Sequence, residues 1–439
     1  MKTITLDYEK TGGIDETTLK DAQKTLEPEI ERIHQTRERA YSNEYASVNL
    51  PFDENLIKTI HATVKAKKAL QPTALVVIGI GGSNLGTLAV LEALCGKFYN
   101  DHHDIKVYFV DTVDSDQTND IAQFVEHELA TGKNIIINVI SKSGTTTETI
   151  ANFEIFLEIL KSHRPYNYYH FVVATTDENS ALWNLAQAEK FTQLAIPKRV
   201  GGRYSVFSAV GLFPLCFLDI DIEDLCAGAQ HGFLACTHKK MAKNPAALSA
   251  ALIAMHYHKG NIIHDTFLFS IALSSFGAWY RQLSAESIGK AYNKQKQLVN
   301  TGVLPTISIG STDLHSVAQL YLAGPYNRFT TFVSVESNQT DVLLPDYKNF
   351  ETLVPKIQSK TFSCIMNAIL EGTKRAYHHD NRPFVSAIIP EKSAYYIGQY
   401  MQIKMIEIMY LGYLLEVNPF DQPQVESYKK ETKAILNKC

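Results

Sequence analysis

At 439 residues the chain is longer than one hydrophobic core ordinarily fills, and it points to two domains. Hydrophobic residues make up 45% and charged residues 20%, as in an ordinary soluble globular protein, and a net charge of −4 supplies no overall field to recruit nucleic acid or an anionic membrane. The longest apolar runs, such as Ala209 to Leu218, are too short and too interrupted to span a bilayer.

The first residues, Met1-Lys-Thr-Ile-Thr-Leu-Asp-Tyr-Glu9, carry early acids and no apolar signal core, so the expected location is the cytoplasm. Six cysteines (Cys95, Cys216, Cys226, Cys236, Cys364 and Cys439) show no CxxC spacing and no framing histidine cluster. They are expected to be idle thiols in a reducing compartment, without disulfides or a metal site.

Residues 1–50 read as an arm of polar helices laid on the outside of something larger. From Leu56 to Leu70 the periodicity is helical. Ala74-Leu-Val-Val-Ile-Gly79 is then a short β-branched run, expected to be a buried parallel strand. A glycine-rich turn and a helix over Thr87–Leu94 follow it. The alternation repeats with strands at 106–111, 134–140 and 170–176, and with helices at 115–128 and from 148 to about 162. Strands and helices taking turns predict an open parallel sheet covered on both faces, with ligands at the carboxyl ends of the strands.

After an apolar helix at 206–218, the pattern starts again. Helices are expected at 223–241 and 245–259, and a strand at 266–272. The helix carrying Glu286 comes next, then strands at 305–309, 328–334 and 384–390 and helices at 361–377 and 394–415. Two α/β units in series imply an old duplication, although no clean sequence repeat marks it. The expected division is an arm at 1–50, a first unit at 51–220, and a second at 221–439 whose C-terminal helix packs back over the site.

The strongest local chemistry is Ser141-Lys142-Ser143-Gly144-Thr145-Thr146. It places hydroxyls, one ammonium and a flexible glycine between a buried strand and a helix, where backbone N–H groups can enclose a phosphate. The Walker spacing is absent, so a monophosphate ester fits better than a nucleotide. A Ser/Thr-rich helix cap is the plainer alternative. Gly79-Ile-Gly81-Gly82-Ser83-Asn84 departs from the dinucleotide fingerprint and reads as a second wall of the same pocket, with Gly82 and Ser83 against the ligand.

Gly201-Gly202-Arg203 lets backbone approach a ligand, and Arg203 can hold a developing oxyanion. Gln282 and Glu286 stand four apart and share one helical face, which pairs a usable general base with an amide. His315 is expected in the first turn of a helix, and a histidine there suits proton shuttling. Gln422 and Lys429 are seven apart in a segment read as a terminal helix after a Pro-rich turn, hence on one face.

Five stretches in this order resemble the glucose-6-phosphate isomerase (phosphoglucose isomerase) family, in its short bacterial form. They are Val77–Gly86, Ser141–Thr149, Gly201–Ser205, Gln282–Lys290 and Asn418–Gln422 running to Lys429. The resemblance spans about residue 50 to the end, and any one stretch alone would be weak. The animal-type loop carries a bulky residue where Gly144 stands.

The resemblance implies an α/β fold of two sugar-isomerase (SIS-type) doubly wound parallel-sheet domains in series, three-layer α/β/α, with the site between them. It implies no cofactor and no metal, a small sugar phosphate as ligand, and a homodimer whose His315 reaches the partner's site. Ser83, Ser141, Lys142, Ser143 and Thr146 then match the sugar-phosphate contacts, and Gln282 and Gln422 the positioning amides. Glu286 matches the base, Arg203 the enediolate stabiliser, and His315 with Lys429 the ring-opening pair. The alternatives are a non-catalytic sugar-phosphate regulator and an isomerase that also takes mannose 6-phosphate.

Overall fold

The structure, a computed structural model, describes residues 3–438. The chain begins with a short strand, Thr5–Asp7 (β1), and the Glu16–Thr36 helix, and then builds a sheet from Pro72–Ile78 (β2), Lys106–Val110 (β3), Asn134–Ile140 (β4), Val172–Thr176 (β5) and Thr192–Ala195 (β6). All of these pairings are parallel, and the order across the sheet is β3-β2-β4-β5-β6. β2 and β4 are almost wholly buried along their Val and Ile runs, as a parallel sheet covered on both faces requires. The chain steps from β2 outward to β3 and returns to the other side of β2 for β4. The loops leaving β2 and β4 therefore part in opposite directions and leave a crevice at their carboxyl ends.

The second sheet is made from Ile263–Leu268 (β7), Leu304–Ile309 (β10), Arg328–Ser337 (β11) and Phe384–Glu391 (β12), with a hairpin of Lys290–Tyr292 (β8) and Leu298–Thr301 (β9) between β7 and β10. Its order is β1-β12-β11-β7-β10. Read from its other edge, β10-β7-β11-β12 repeats the order β3-β2-β4-β5. The duplication implied by the alternation thus appears as repeated topology.

The N-terminal arm differs from the expected helical cover. β1 pairs antiparallel with β12, and Phe384 N donates to Thr11 O, so the arm extends the second sheet. Three residues give no periodicity by which to recognise a strand. Leu26, Ile30 and Ile33 of the Glu16–Thr36 helix are buried in the core, and Gln23 accepts from Met241 N.

Beneath the second sheet lies the Ala394–Leu414 helix, buried around nearly its whole circumference and packed against the Ile222–Cys236 and Pro245–His258 helices. Its Lys404 donates to Glu407 at 2.5 Å, and Tyr280 donates to the other Glu407 oxygen at 2.6 Å. This buried pair ties the Ser274–Ile288 helix, which carries Glu286, to the floor of the molecule.

Several ends differ from expectation. The helix expected from Val206 starts at Ala209, behind a Ser208 cap that accepts from Val210 N. The helix at Glu223 ends at Cys236, and the strand expected to reach Ala272 ends at Leu268, where the chain turns into a 3-10 segment. The Ala181–Ala188 helix, β6 and the β8–β9 hairpin were not expected. Cys95, Cys216, Cys226, Cys236 and Cys364 are free thiols, and Cys439 lies outside the described residues. Among the described residues, no helix is long and apolar enough to cross a membrane.

Candidate functional site

At the carboxyl ends of β2 and β4 two loops stand side by side. The first is shaped by glycine. Gly81 has φ of +59°, and a Cβ there would stand 2.7 Å from the Gln282 amide nitrogen. A Cβ on Gly82 would stand 2.2 Å from the Gly202 carbonyl carbon. The β2 loop thus lies directly on the Gly202–Tyr204 turn and on the helix bearing Glu286. Ser83 is half-buried beside it, and Asn84, fully buried, donates to Asp111 at 3.1 Å.

The second loop, Ser141 to Thr146, leads into the Thr147–His163 helix. Ser141 Oγ lies 3.0 Å from Thr146 Oγ1 and accepts from Gly144 N at 3.1 Å. Ser143 and Thr145 are exposed, with Ser143 Oγ accepting from both Thr145 N and Thr145 Oγ1. Hydroxyls and first-turn N–H groups at a helix N-terminus form an anion cradle. Lys142 donates to Lys198 O at 2.8 Å, and burial pushes its pKa below the ordinary lysine range, with Asp177 opposing the shift.

Arg203 is 3% exposed, and all its donors are engaged. Nε donates to Ser287 Oγ at 2.7 Å, and Nη1 donates to Gln422 Oε1 at 2.6 Å and to Glu286 Oε2 at 3.3 Å. Nη2 donates to Pro419 O at 2.7 Å and Asp421 O at 3.2 Å. A planar guanidinium can face this many acceptors in fixed directions, where a lysine ammonium could not. One residue between the sheets therefore joins the Gly202 turn, the end of the Ser274–Ile288 helix and the loop around Gln422.

On that helix Gln282 donates to the other Glu286 oxygen at 3.0 Å, as helical spacing requires. The Glu286 side chain keeps 30% of its surface exposed, so a carboxylate held by an amide and a guanidinium still faces open space.

The structure thus brings together Gly82, Arg203, Gln282, Glu286 and Gln422, with the Ser141–Thr146 and Ser83 loops at the adjoining sheet edge. His315 and Lys429 make no hydrogen bond or ion pair with any of these residues. His315 is exposed and ends a 3-10 turn, Thr312–His315, ahead of the Ala318–Ala323 helix, because Asp313 caps Ile309 N and turns the chain before the helix can start.

Lys429 pairs with Glu426 at 2.8 Å on a helix running from Val425 to Leu436. Gln422 precedes that helix, so the two do not share a helical face; Pro423 restricts the residue before it and delays the start. Residues missed from sequence are Ser287, which accepts from Arg203, and Lys290 and Asp421, whose pairing depends on a contact across 131 positions. Ser287 and Lys290 lie inside the Gln282–Lys290 stretch, which was the only available signal for them.

A family model described as phosphoglucose isomerase matches residues 53–439. A Carboxydothermus hydrogenoformans protein named glucose-6-phosphate isomerase is 33% identical over 410 residues, covering 92% of this chain and 87% of its own. An Alkaliphilus metalliredigens protein of the same name is 33% identical over 452 residues, covering 100% and 96%. The solved structure of a Chlamydia trachomatis glucose-6-phosphate isomerase superposes with a TM-score of 0.84 at 22% identity, over 100% of this chain and 89% of that one.

Proposed function

The chain belongs to the phosphoglucose isomerase family, and from that premise we infer an enzyme that interconverts D-glucose 6-phosphate and D-fructose 6-phosphate as an aldose–ketose isomerase. The observation that best supports a catalytic site is the half-open Glu286 carboxylate, held by Gln282 and by an Arg203 that is itself fixed by Ser287 and Gln422. A protein that only bound a sugar phosphate would need the anion cradle but not this arrangement.

In this reading the phosphate ester sits on the Ser141, Lys142, Ser143 and Thr146 cradle, with Gly82 and Ser83 on its other side. The cyclic sugar opens when a proton reaches the ring oxygen and another leaves the anomeric hydroxyl, the work assigned jointly to His315 and Lys429. Glu286 takes the proton from C2 and returns it to C1, so the carboxylate ends the cycle as it began. Positioned general-base catalysis of this kind contributes roughly 10²–10⁴-fold. Between the two transfers the charge lies on the cis-enediolate oxygens, beside Arg203, and the O2 hydroxyl proton passes to O1. Gln282 and Gln422 hold the hydroxyls in register.

The working form is a cytoplasmic homodimer in which His315 serves the neighbouring subunit's site. The exposure of His315, which makes no hydrogen bond to its own chain's Glu286, supports that arrangement. Sugar phosphates are charged and do not cross a bilayer unaided, which supports the compartment.

The test is incubation of purified protein with fructose 6-phosphate and separate assay of glucose 6-phosphate and mannose 6-phosphate. Glucose 6-phosphate as the product is expected. Binding without conversion would support a regulator instead, and equal accumulation of both aldoses would support a dual isomerase.

A further inference from the structure

Lys290 follows the Ser274–Ile288 helix directly and is 7% exposed. A buried ammonium with three donors is costly unless each is used. Here each has an acceptor: Glu286 O at 2.8 Å, Asp421 O at 2.5 Å and the Asp421 carboxylate at 3.1 Å. Burial pushes the Lys290 pKa down, and Asp421 opposes the shift.

Asp421 O is the carbonyl that Arg203 Nη2 also meets. The next residue, Gln422, sends its amide oxygen to Arg203 Nη1. The loop carrying Gln422 is therefore clasped by two cations from different parts of the chain. Arg203 grips it from the first sheet's side, and Lys290 grips it from the end of the helix that bears Glu286. The helix past Gln422 offers no alternative anchor, since Val425–Leu436 has no buried residue.

We propose that Lys290 is a positioning residue for the isomerisation, locking the Gln422 loop to the end of the Glu286 helix so that amide and carboxylate keep one fixed separation across the substrate. This rests on the reading of Gln422 and Glu286 given above. Lys290 touches the backbone of both reacting-side elements and no atom of the carboxylate or amide themselves. Its effect on rate therefore passes through Gln422.

A cavity of about 300 Å³ lies along the outer side of the clasp, between Lys290, Asn293, Lys294 and Asn418. That space has room for a guanidinium, so Lys290→Arg should keep the clasp, whereas Lys290→Met fills the stem volume and removes every donor.

The experiment is a cycle of Lys290→Met, Gln422→Ala and the double variant, with Lys290→Arg alongside, measured as kcat and KM for fructose 6-phosphate. Lys290→Met is expected to lower kcat/KM by about 10- to 100-fold and Lys290→Arg by no more than about threefold. In the Gln422→Ala background the further loss from Lys290→Met should shrink to about threefold or less. Circular dichroism and the melting temperature verify folding. If Lys290→Met does not fold, Asp421→Asn replaces it in the cycle, because it removes only a half-exposed carboxylate and keeps the carbonyl.

Losses that multiply independently, or Lys290→Met at the wild-type rate, would overturn the role of Lys290 and leave the isomerase reading intact. Gln422→Ala at the wild-type rate would overturn the positioning role of Gln422 and this proposal with it.

Discussion

Arg203 Nη1 stands 3.3 Å from Glu286 Oε2, and the same nitrogen donates to Gln422 at 2.6 Å. This shared nitrogen links the proposed base to the proposed positioning amide, and the side chain that carries it is buried. Arg203→Ala strips donors from several buried acceptors at once. It should lower kcat by about 10²–10³-fold, with a smaller change in KM. It should also destabilise the fold by about 1–3 kcal/mol, since Ser287 Oγ and Pro419 O are left buried without their donor. Steady-state kinetics beside urea unfolding separate the two effects. A pure KM change would make Arg203 a ground-state anchor instead.

The backbone-to-backbone approach at Gly82 gives a second prediction. A methyl group there would meet the Gly202 carbonyl carbon at 2.2 Å, and the atoms nearest it are backbone that cannot swing aside. Gly82→Ala should cost about 1–3 kcal/mol of stability and displace Arg203, removing most activity. Gly132→Ala is the control: its φ of +85° imposes strain, but nothing lies within 4 Å of the new carbon and the site is untouched. It should lower the melting temperature while leaving kcat/KM unchanged.

How much of this was legible in the sequence depends on the reach of each contact. β2 and β4 were readable because burial on both faces forces unbroken Val and Ile runs, and Gln282–Glu286 because helical spacing alone makes the pair. β1 was not, since three residues acquire strand geometry only by pairing with β12. Nor was the Lys290–Asp421 clasp, whose partners meet only when the chain returns after building the rest of the second sheet. The misreading of Gln422 and Lys429 has a local cause: seven-residue spacing implies a shared face only inside a helix, and the helix starts at Val425, past Gln422.

His256 gives the molecule a defined weakness toward acid. It is 3% exposed, its Nε2 donates to Gly12 O at 2.8 Å, and its ring stacks on Phe329. Burial is the main cause that lowers its pKa from 6.5 to about 4. The unfolded chain takes up this proton first. Stability from this group is thus complete above pH 6.5 and declines as pH falls toward 4. Between pH 7 and pH 5 the loss should be about 1–2 kcal/mol. Urea unfolding at both values, with His256→Gln losing part of the slope, checks it; an unchanged slope in the variant would assign the acid sensitivity to other groups.

If His315 serves the partner's site, His315→Ala and Glu286→Gln are each inactive as homodimers but complement in a mixed dimer. One site of the mixed dimer then carries both lesions and the other carries neither. Random reassortment of equal amounts should restore about a quarter of wild-type activity. Absence of any recovery, with exchange verified by tagged subunits, would place His315 in its own chain's site or outside catalysis.

The central claim is that Glu286 moves the proton between C2 and C1. The most direct measurement is an NMR time course of fructose 6-phosphate in D₂O with wild type and Glu286→Gln. The account predicts glucose 6-phosphate deuterated at C2 with the wild type, and neither product nor exchange with a folded Glu286→Gln that still binds substrate. Deuterium incorporation by Glu286→Gln at close to the wild-type rate would contradict it and assign the base to another group.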